Sequence, residues 1–456
     1  MRPPGPRGGE ITRRAFGQGA VSAWLSNGIG PTAVTASSTA PDPAGPIRWR
    51  SDFPALEQMV SGYPLAYLDS AATTQRPEAV LDALLDYYRH NNANPGSTLH
   101  TLARRAYEDY EGARRALAGF INAQDRDEVV WVRGTTESIN LVASAWARPR
   151  LRPGDEVLLT VAEHASNLLP WRLVAEQSGA TVRYVDVDDE GRVRVDDLER
   201  QLSTRTRLFS FSHVSNVAGY INPAAELCAR ARSAGARVLI DAAQSAPHVP
   251  LDVQALGCDF LAFSSHKMLG PMGIGVLWAR RERLEEMAPY QAGSNMAHHI
   301  DLASEELEHG ARKFGAGTPN VSGPIGLAAA VRYLRQNRSA IERHEAHLTQ
   351  HGLDQLSQIT GLRLLGPRSA AQRLPVFSFV LTGSSPADIL QHLDARGIAI
   401  RAGDLAALPL LKRFGVNAAA RASCYLYTQT AELDRLAAAL RDLTRTHSRT
   451  RMEDTR

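Results

Sequence analysis

Apolar runs typical of β-strands alternate with amphipathic helical segments over the first two thirds of the chain. The strand-like runs are Glu128–Val132, Glu156–Val161, Val182–Val187, Leu208–Ser212, Val238–Ile240, Phe260–Phe263 and Gly275–Trp278. Apolar residues at helical spacing occur between them, at Thr136–Ala147, Ser166–Ser178 and Ala224–Ala234. Strands that alternate with helices predict an α/β fold whose mostly parallel sheet is covered by helices on both faces.

The pattern changes after about Gly323. It then predicts helices at Pro324–Gln336, Ile341–Ile359 and Thr430–Leu443, with short strands at Leu362–Leu365, Val376–Leu381 and Ile398–Arg401. We therefore expect a large domain over residues 45–322 and a smaller α+β domain over 323–445. Residues 45–68 are expected to pack on the small domain. The charged tail, 446–456, is expected to be disordered.

Residues 1–44 form a leader of different composition. Two arginines, Arg13 and Arg14, precede a stretch without charged residues that lasts until Asp42. Such a leader fits a twin-arginine export signal, with Val34–Ala36 as a small-residue cleavage site. It equally fits a disordered extension, so the sequence leaves both a cytoplasmic and an exported location open. Its Gly and Pro content argues against a transmembrane helix.

Charge and cysteine content exclude several classes of function. The 456 residues include 51 basic and 48 acidic side chains, and a balance of +3 is too small to indicate a nucleic acid or an anionic membrane as partner. The three cysteines are far apart and form no CxxC pair. The 14 histidines never take the HExxH form, so no metal site is predicted.

Polar clusters follow three of the predicted strands, where ligands bind in open α/β sheets. The first is Arg133–Glu137, which follows the strand ending at Val132 and opens a helix. Its hydroxyls and free N–H groups suit a phosphate, although an ordinary helix cap would look the same.

The second cluster, Asp241–Gln244, directly follows Val238–Ile240. A carboxylate at the end of a buried strand needs a cation or hydrogen bonds. A protonated pyridine nitrogen would be such a cation, and a helix cap is the alternative. The third cluster, Ser264–Lys267, follows Phe260–Phe263, and a lysine there can lose its proton and form a Schiff base. The order of the three clusters points to pyridoxal 5′-phosphate (PLP).

These segments closely resemble the cysteine desulfurase and selenocysteine lyase branch of the class V aminotransferases. The likeness runs from about Trp49 to about Leu443. The matching segments are Leu65–Pro77, Arg133–Ala143, Glu163-His164, His213–Asn216 with Gly219, Asp241–Gln244, Ser264–Gly275 and Ala316–Pro319. The resemblance implies PLP as cofactor, a fold-type-I body with a large mostly parallel-sheet cofactor domain and a smaller α+β C-terminal domain, and a homodimer.

The resemblance also implies a role for each matched residue. Lys267 would form the Schiff base with the cofactor and move the Cα proton, and His164 would stack on the ring and take part in catalysis. The further cofactor-binding positions are Asp241 at the pyridine nitrogen, Gln244 at the ring hydroxyl, Thr135, Thr136, Ser264 and His266 around the phosphate, and Thr318 from the second subunit. Arg421 would bind the substrate carboxylate, and Asn216 would lie near the substrate.

The sequence departs from the family around the substrate. The persulfide-forming cysteine of the family lies in a segment that reads roughly Arg-Ala-Gly-His-His-Cys-Ala-Gln-Pro, and here Arg401–Pro409 places Ala406 at that cysteine. Gly96-Ser97-Thr98 stands where the family typically has His-Arg-Gly, and Ala165 replaces a second histidine. The cofactor segments are unchanged. A methyl group cannot attack sulfur, so the desulfurase mechanism loses its nucleophile.

The leading hypothesis is therefore a PLP-dependent lyase that breaks a C–S or other Cβ bond of an amino-acid substrate without a protein persulfide. Three alternatives remain open from the sequence. They are an aminotransferase or epimerase of a small or specialised amino acid, a cysteine desulfurase that uses another thiol, and a non-catalytic PLP-binding partner protein. Cys424 follows Arg421 by three residues along a strand, which predicts that it faces the core.

Overall fold

The computed structural model describes residues 47–96 and 98–453. The predicted leader, including Arg13 and Arg14, lies outside the described residues, as do Ser97 and residues 454–456. No helix in the described ranges is long and apolar enough to cross a membrane. The same ranges contain no cluster of His, Cys, Asp and Glu side chains that could hold a metal ion.

A seven-stranded sheet forms the centre of the fold. In spatial order its strands are Val129–Val132, Gly275–Ala279, Phe260–Ser264, Arg237–Asp241, Thr206–Ser212, Glu156–Thr160 and Thr181–Val185. Only Gly275–Ala279 runs antiparallel to its neighbours. The predicted mostly parallel α/β sheet is thus confirmed, with all seven strands close to their expected positions.

Both faces of this sheet are buried. Val238 and Ile240 pack in one apolar cluster, while Leu239, which points to the opposite face, packs in another. The apolar runs without alternation arise because every residue of a doubly covered strand is buried. The surrounding α-helices are Glu78–Asp86, Thr101–Phe120, Thr135–Leu141, Leu169–Ser178, Val195–Gln201, Ala224–Ser233, Val253–Leu256 and Arg281–Glu286. Two of them continue as short π-helical segments, at Tyr87–Asn91 and Val142–Ala147.

A second, antiparallel sheet lies in the C-terminal part. In spatial order its strands are Leu362–Leu365, Val376–Leu381, Ala419–Ser423 and Arg401–Gly403, and helices Pro386–Asp394, Leu408–Arg413 and Thr430–Glu453 accompany it. The predicted strand Ile398–Arg401 is instead two strands, because Ile398–Ala399 pairs in parallel with Ala66–Tyr67. Ala66 and Leu68 share an apolar cluster with Phe377.

Two helices differ from their predicted bounds. The predicted helices Pro324–Gln336 and Ile341–Ile359 form one helix, Ser322–Ser357. Nothing between them breaks it, since residues 337–340 contain no Gly or Pro. The last helix reaches Glu453 and so includes most of the tail expected to be disordered, because residues 446–453 contain no Gly or Pro. The division into two domains at 322/323 remains a prediction.

The remaining elements are short. They are the helical turns Ile47–Arg50, Pro54–Leu56, Arg126–Glu128, Ala165–Asn167, Ser265–Lys267 and Gly310–Phe314, and the strand pairs Met59–Val60 with Tyr63–Pro64 and Ala297–Ile300 with Glu305–Leu307.

The substitution Gly352→Ala tests the packing of the long helix on the second sheet. A Cβ at Gly352 would lie 2.3 Å from Cζ of the fully buried Phe377 ring, which has no room to move. We expect a loss of about 1–3 kcal/mol in the free energy of unfolding, measured by denaturant titration. The control Gly119→Ala, in a helix with no atom within 4 Å of the added Cβ, should be neutral or slightly stabilising. Equal effects of the two changes would contradict the predicted clash.

Candidate active site

A cavity of about 440 Å³ opens at the carboxyl ends of the parallel strands. It brings together every site residue predicted from the sequence except Thr318. The predicted residues that line it are Thr135, Thr136, His164, Asn216, Asp241, Gln244, Ser264, His266, Lys267, Ala406 and Arg421. These residues come from both sheets, so the cavity depends on the C-terminal part of the chain as well as on the central sheet.

Lys267 and Asp241 lie at the ends of neighbouring parallel strands. Asp241 ends its strand, and Lys267 closes the helical turn that follows the next one. Burial lowers the pKa of Lys267 to about 8, although the Asp241 carboxylate opposes this by raising it. Burial raises the pKa of Asp241, whose carboxylate accepts a hydrogen bond from the Ala243 N–H at 2.9 Å. The lysine therefore loses its proton more readily than an exposed lysine does.

The turn after Val132 approaches the central sheet closely. A Cβ at Gly275 would lie 2.6 Å from Cα of Gly134, so a glycine is required there. The Thr135 N–H donates to Oγ of Ser264 at 2.8 Å, and the two hydroxyls are 2.7 Å apart. Thr135, Thr136, Ser264 and His266 also line a second cavity of about 560 Å³. This cluster of hydroxyls at a helix N-terminus has the chemistry of a phosphate site.

PLP, which the resemblance implies, fits these residues. Within the described ranges, the buried Asp241 carboxylate has no cation near it other than Lys267, and a pyridinium nitrogen would provide one. Nδ1 of His266 is buried and has no hydrogen-bond partner among the described residues. Gln244 Nε2 donates to the Ala71 carbonyl at 2.7 Å, which fixes its side chain at the cavity wall.

His164 is held as a neutral ring. Its Nδ1 accepts a hydrogen bond from the Ser166 N–H at 3.1 Å, so the proton of the neutral ring is on Nε2. Burial is the main cause that lowers the pKa of His164 to about 4, and the positive charges of Lys267 and Arg421 contribute to this shift. A neutral imidazole beside the lysine suits stacking on a cofactor ring.

Glu163, directly before His164 in the chain, is a fully buried carboxyl group without a role predicted from the sequence. Glu163 accepts from the Ser212 hydroxyl at 2.7 Å, the Ser212 N–H at 3.1 Å and Asn167 Nδ2 at 2.7 Å. Burial raises the pKa of Glu163 to about 7. Glu163 thus ties the His164 loop to the end of the strand Thr206–Ser212. The sequence feature that could have pointed to Glu163 is its position directly before His164, in a segment that resembles the family.

Arg421 lies on the strand Ala419–Ser423 and is only 2% exposed. Nη1 of Arg421 donates to the Asn216 carbonyl at 3.1 Å, and Nη2 lies 3.3 Å from Oδ1 of Asp69. Asp69 also accepts from Arg401, with Nη2 of Arg401 at 2.8 Å from Oδ2. Neither Asp69 nor Arg401 was assigned a site role from the sequence, because their meeting depends on strand pairing that spans the whole chain.

The loop that carries Ala406 is fixed by hydrogen bonds to its backbone. The Ala165 N–H donates to the Ala406 carbonyl at 2.7 Å, and Asn216 Nδ2 donates to the Leu405 carbonyl at 2.9 Å. The Ala406 N–H donates to the Asp404 carboxylate at 3.0 Å. Leu405 and Ala406 both have φ of 52°, in the left-handed region. The loop is therefore held in a strained conformation at the cavity wall.

None of the three cysteines lines this cavity. Cys228, Cys258 and Cys424 are all buried. Cys424 packs in the apolar cluster of the second sheet, as its distance along the strand from Arg421 predicted. Thr318 is exposed and accepts a hydrogen bond from Asn94 Nδ2 at 3.2 Å.

Comparison with known proteins agrees with this geometry. The family model described as aminotransferase class-V matches residues 66–436. A cysteine desulfurase of Synechococcus elongatus is 46% identical over 393 residues, which cover 86% of this chain but only 62% of that protein. A probable cysteine desulfurase of Halalkalibacterium halodurans is 45% identical, over 85% of this chain and 95% of that protein.

Among solved structures, a cysteine desulfurase from Escherichia coli in an S-sulfonic acid form aligns with a TM-score of 0.79 at 39% identity. The alignment covers 87% of this chain and 97% of that one. The sheet topology, the gathered polar residues and these matches agree. The chain belongs to the class V aminotransferase family and is a PLP-dependent enzyme related to cysteine desulfurases.

Proposed function

We propose that this enzyme is a lyase that breaks the C–S bond, or another Cβ bond, of a cysteine-like amino acid without forming a protein persulfide. The observation that carries the proposal is the cavity lining. It combines Lys267, Asp241 and Arg421 and contains no thiol, and the sequence resemblance assigns the family's cysteine to the position of Ala406. This combination supports chemistry on the amino acid itself rather than transfer of sulfur to the protein.

Each residue of the cavity then has an assigned task. PLP, when bound, withdraws electrons from Cα of the substrate. Asp241 keeps the pyridine nitrogen protonated, and the neutral ring of His164 covers the cofactor face. Lys267 holds the cofactor and, as a neutral amine, accepts the Cα proton. Arg421 binds the α-carboxylate, and Asn216 lies beside it.

Thr135, Thr136, Ser264 and His266 are assigned to the phosphate. Gln244 is assigned to the ring hydroxyl. These assignments are supported by the position of each side chain in the cavity lining and by the sequence resemblance of its segment to the family.

The buried cysteines argue against a desulfurase that uses another thiol of this chain. Burial raises the pKa of Cys228 to about 12 and raises the pKa values of Cys258 and Cys424 well above that of a free thiol. Only the thiolate attacks sulfur. A cysteine desulfurase whose sulfur acceptor is an external thiol is the second candidate, because the similar proteins are named cysteine desulfurases.

Product analysis with L-cysteine tests the proposal. Cleavage of the Cβ–S bond releases hydrosulfide, and hydrolysis of the remaining enamine gives pyruvate and ammonium. We expect these three products from the PLP-loaded protein and none of them from the variant Lys267→Ala. Alanine with reducible sulfur would overturn the proposal in favour of a desulfurase. Pyridoxamine phosphate that a keto acid then consumes would indicate an aminotransferase.

The variant Ala406→Cys extends the same experiment. A thiol at this lining position should divert part of the sulfur into a protein persulfide, detected by mass spectrometry, with alanine as co-product. Ala407→Cys is the matched control, because Ala407 is buried next to Ala406 but does not line the cavity. Equal persulfide formation in both variants would show that position 406 has no special place in the reaction.

The pH dependence of Lys267 reactivity tests its assigned role as a base. With the cofactor removed, we expect Lys267 to be acylated with a midpoint of about pH 8, because burial favours the neutral amine. Asp241→Asn should lower this midpoint further, since the Asp241 carboxylate raises the pKa of Lys267. Peptide mass spectrometry resolves the sites, and the exposed Lys412 provides the internal reference. Parallel titration of the two lysines would contradict the assignment.

We further propose a homodimer in which Thr318 completes the phosphate site of the partner subunit. Thr318 is exposed and does not line its own cavity, while the second cavity beside Thr135 is open to solvent. Large apolar side chains are exposed at Leu99 (90%) and Met272 (66%), and a subunit contact at these positions would bury them. Sedimentation equilibrium should give twice the chain mass of 49.6 kDa, and a mass of one chain would contradict the proposal.

A further inference from the structure

Two arginines face each other directly across paired strands at the cavity. Arg401 and Arg421 are opposite partners in the antiparallel pairing of Arg401–Gly403 with Ala419–Ser423, and both line the cavity. Like charges at directly opposite positions of a sheet repel each other. One of the two, Arg421, is almost completely buried, so water screens this repulsion only weakly.

Asp69 lies between the two guanidinium groups. It is 8% exposed, and a parallel backbone bridge to Ser423 places it beside the strand that carries Arg421. Nε of Arg401 lies 3.2 Å from both carboxylate oxygens, and Nη2 of Arg421 lies 3.3 Å from Oδ1. A single carboxylate thus neutralises one of the two cations, and the cluster of Asp69, Arg401 and Arg421 keeps one net positive charge.

The Arg421 guanidinium is held on two sides and keeps an unused donor. Asp69 accepts from Nη2, and the Asn216 carbonyl accepts from Nη1. Nε of Arg421 is buried and has no hydrogen-bond partner among the described residues. A buried charged donor without an acceptor is costly, and a ligand carboxylate would satisfy it.

We propose that Asp69 is a positioning residue for recognition of the substrate α-carboxylate. It fixes the Arg421 guanidinium so that the remaining donors face the ligand, and it keeps Arg401 from competing for the same carboxylate. This inference rests on the proposed function only in taking Arg421 as the carboxylate site. A purely structural ion pair would stabilise the fold without affecting which ligands bind.

The test compares L-alanine with ethylamine, which is L-alanine without its carboxylate. Neither has a leaving group at Cβ, so β-elimination cannot consume either ligand while the visible absorption of the PLP-loaded protein is titrated. In Asp69→Asn the dissociation constant of L-alanine should rise about tenfold or more, because one anchor of a buried guanidinium is lost. The dissociation constant of ethylamine should change less than about twofold, since it does not use Arg421.

Glu432→Gln is the matched control for loss of a buried carboxylate. Glu432 is 5% exposed and pairs with Arg50 at 3.0 Å, and it does not line the cavity. Both variants should lower thermal stability, but only Asp69→Asn should lose preference for L-alanine over ethylamine. If Asp69→Asn does not fold, the variant Asp69→Glu replaces it in the test, because it keeps the negative charge but displaces it. The preference of Asp69→Glu for L-alanine over ethylamine should also be lower than that of the wild type.

The outcomes separate this inference from the proposed function. An unchanged L-alanine constant in Asp69→Asn, or equal changes for L-alanine and ethylamine, would overturn the positioning role. The same result in Asp69→Glu would overturn it if that variant alone folds. A wild-type protein that binds both ligands equally would overturn the assignment of Arg421 itself.

Discussion

The burial of Lys267 beside Asp241 is the constraint on which the rest of the site depends. Burial alone would favour a neutral lysine and a protonated carboxyl group. The Asp241 carboxylate raises the pKa of Lys267, and the Lys267 ammonium lowers the pKa of Asp241, so each partly offsets the effect of burial on the other. The parallel pairing of their two strands brings them to the same edge of the sheet. The burial of Lys267 and Asp241 requires a sheet that is covered on both faces. An exposed strand end would leave the amine and the carboxylate solvated, with ordinary pKa values.

The segment Asp69–Thr74 links the lysine to the substrate end of the cavity. Thr73 and Thr74 donate through their hydroxyls to the His266 carbonyl at 3.1 Å, directly before Lys267. The Ala71 carbonyl accepts from Gln244, and Asp69 lies between the two arginines. One short stretch of chain therefore fixes the lysine loop, the cofactor wall and the carboxylate site relative to one another.

The central sheet and the strand-end clusters could be predicted because their signals are local. Apolar runs mark the buried strands; Asp241 directly follows one of them, and Lys267 closes the short polar cluster that follows another. The arrangement of Asp69 between Arg401 and Arg421 could not be predicted, because it requires the register of strands from distant segments. The strand Ala419–Ser423 itself is rich in alanine, which is a poor strand former, and its place in the sheet comes from tertiary packing.

The conformation of the loop around Ala406 does not depend on the side chain at position 406. Its two left-handed residues are held by contacts to backbone atoms from Ala165, Asn216 and Asp404. None of these contacts involves the side chain at position 406, so the loop keeps its conformation whether that side chain is a methyl group or a thiol. The loop also positions Asn216, because the Leu405 carbonyl accepts from Asn216 Nδ2 and the Asn216 carbonyl in turn accepts from Arg421, so the strained backbone contributes to the carboxylate site as well.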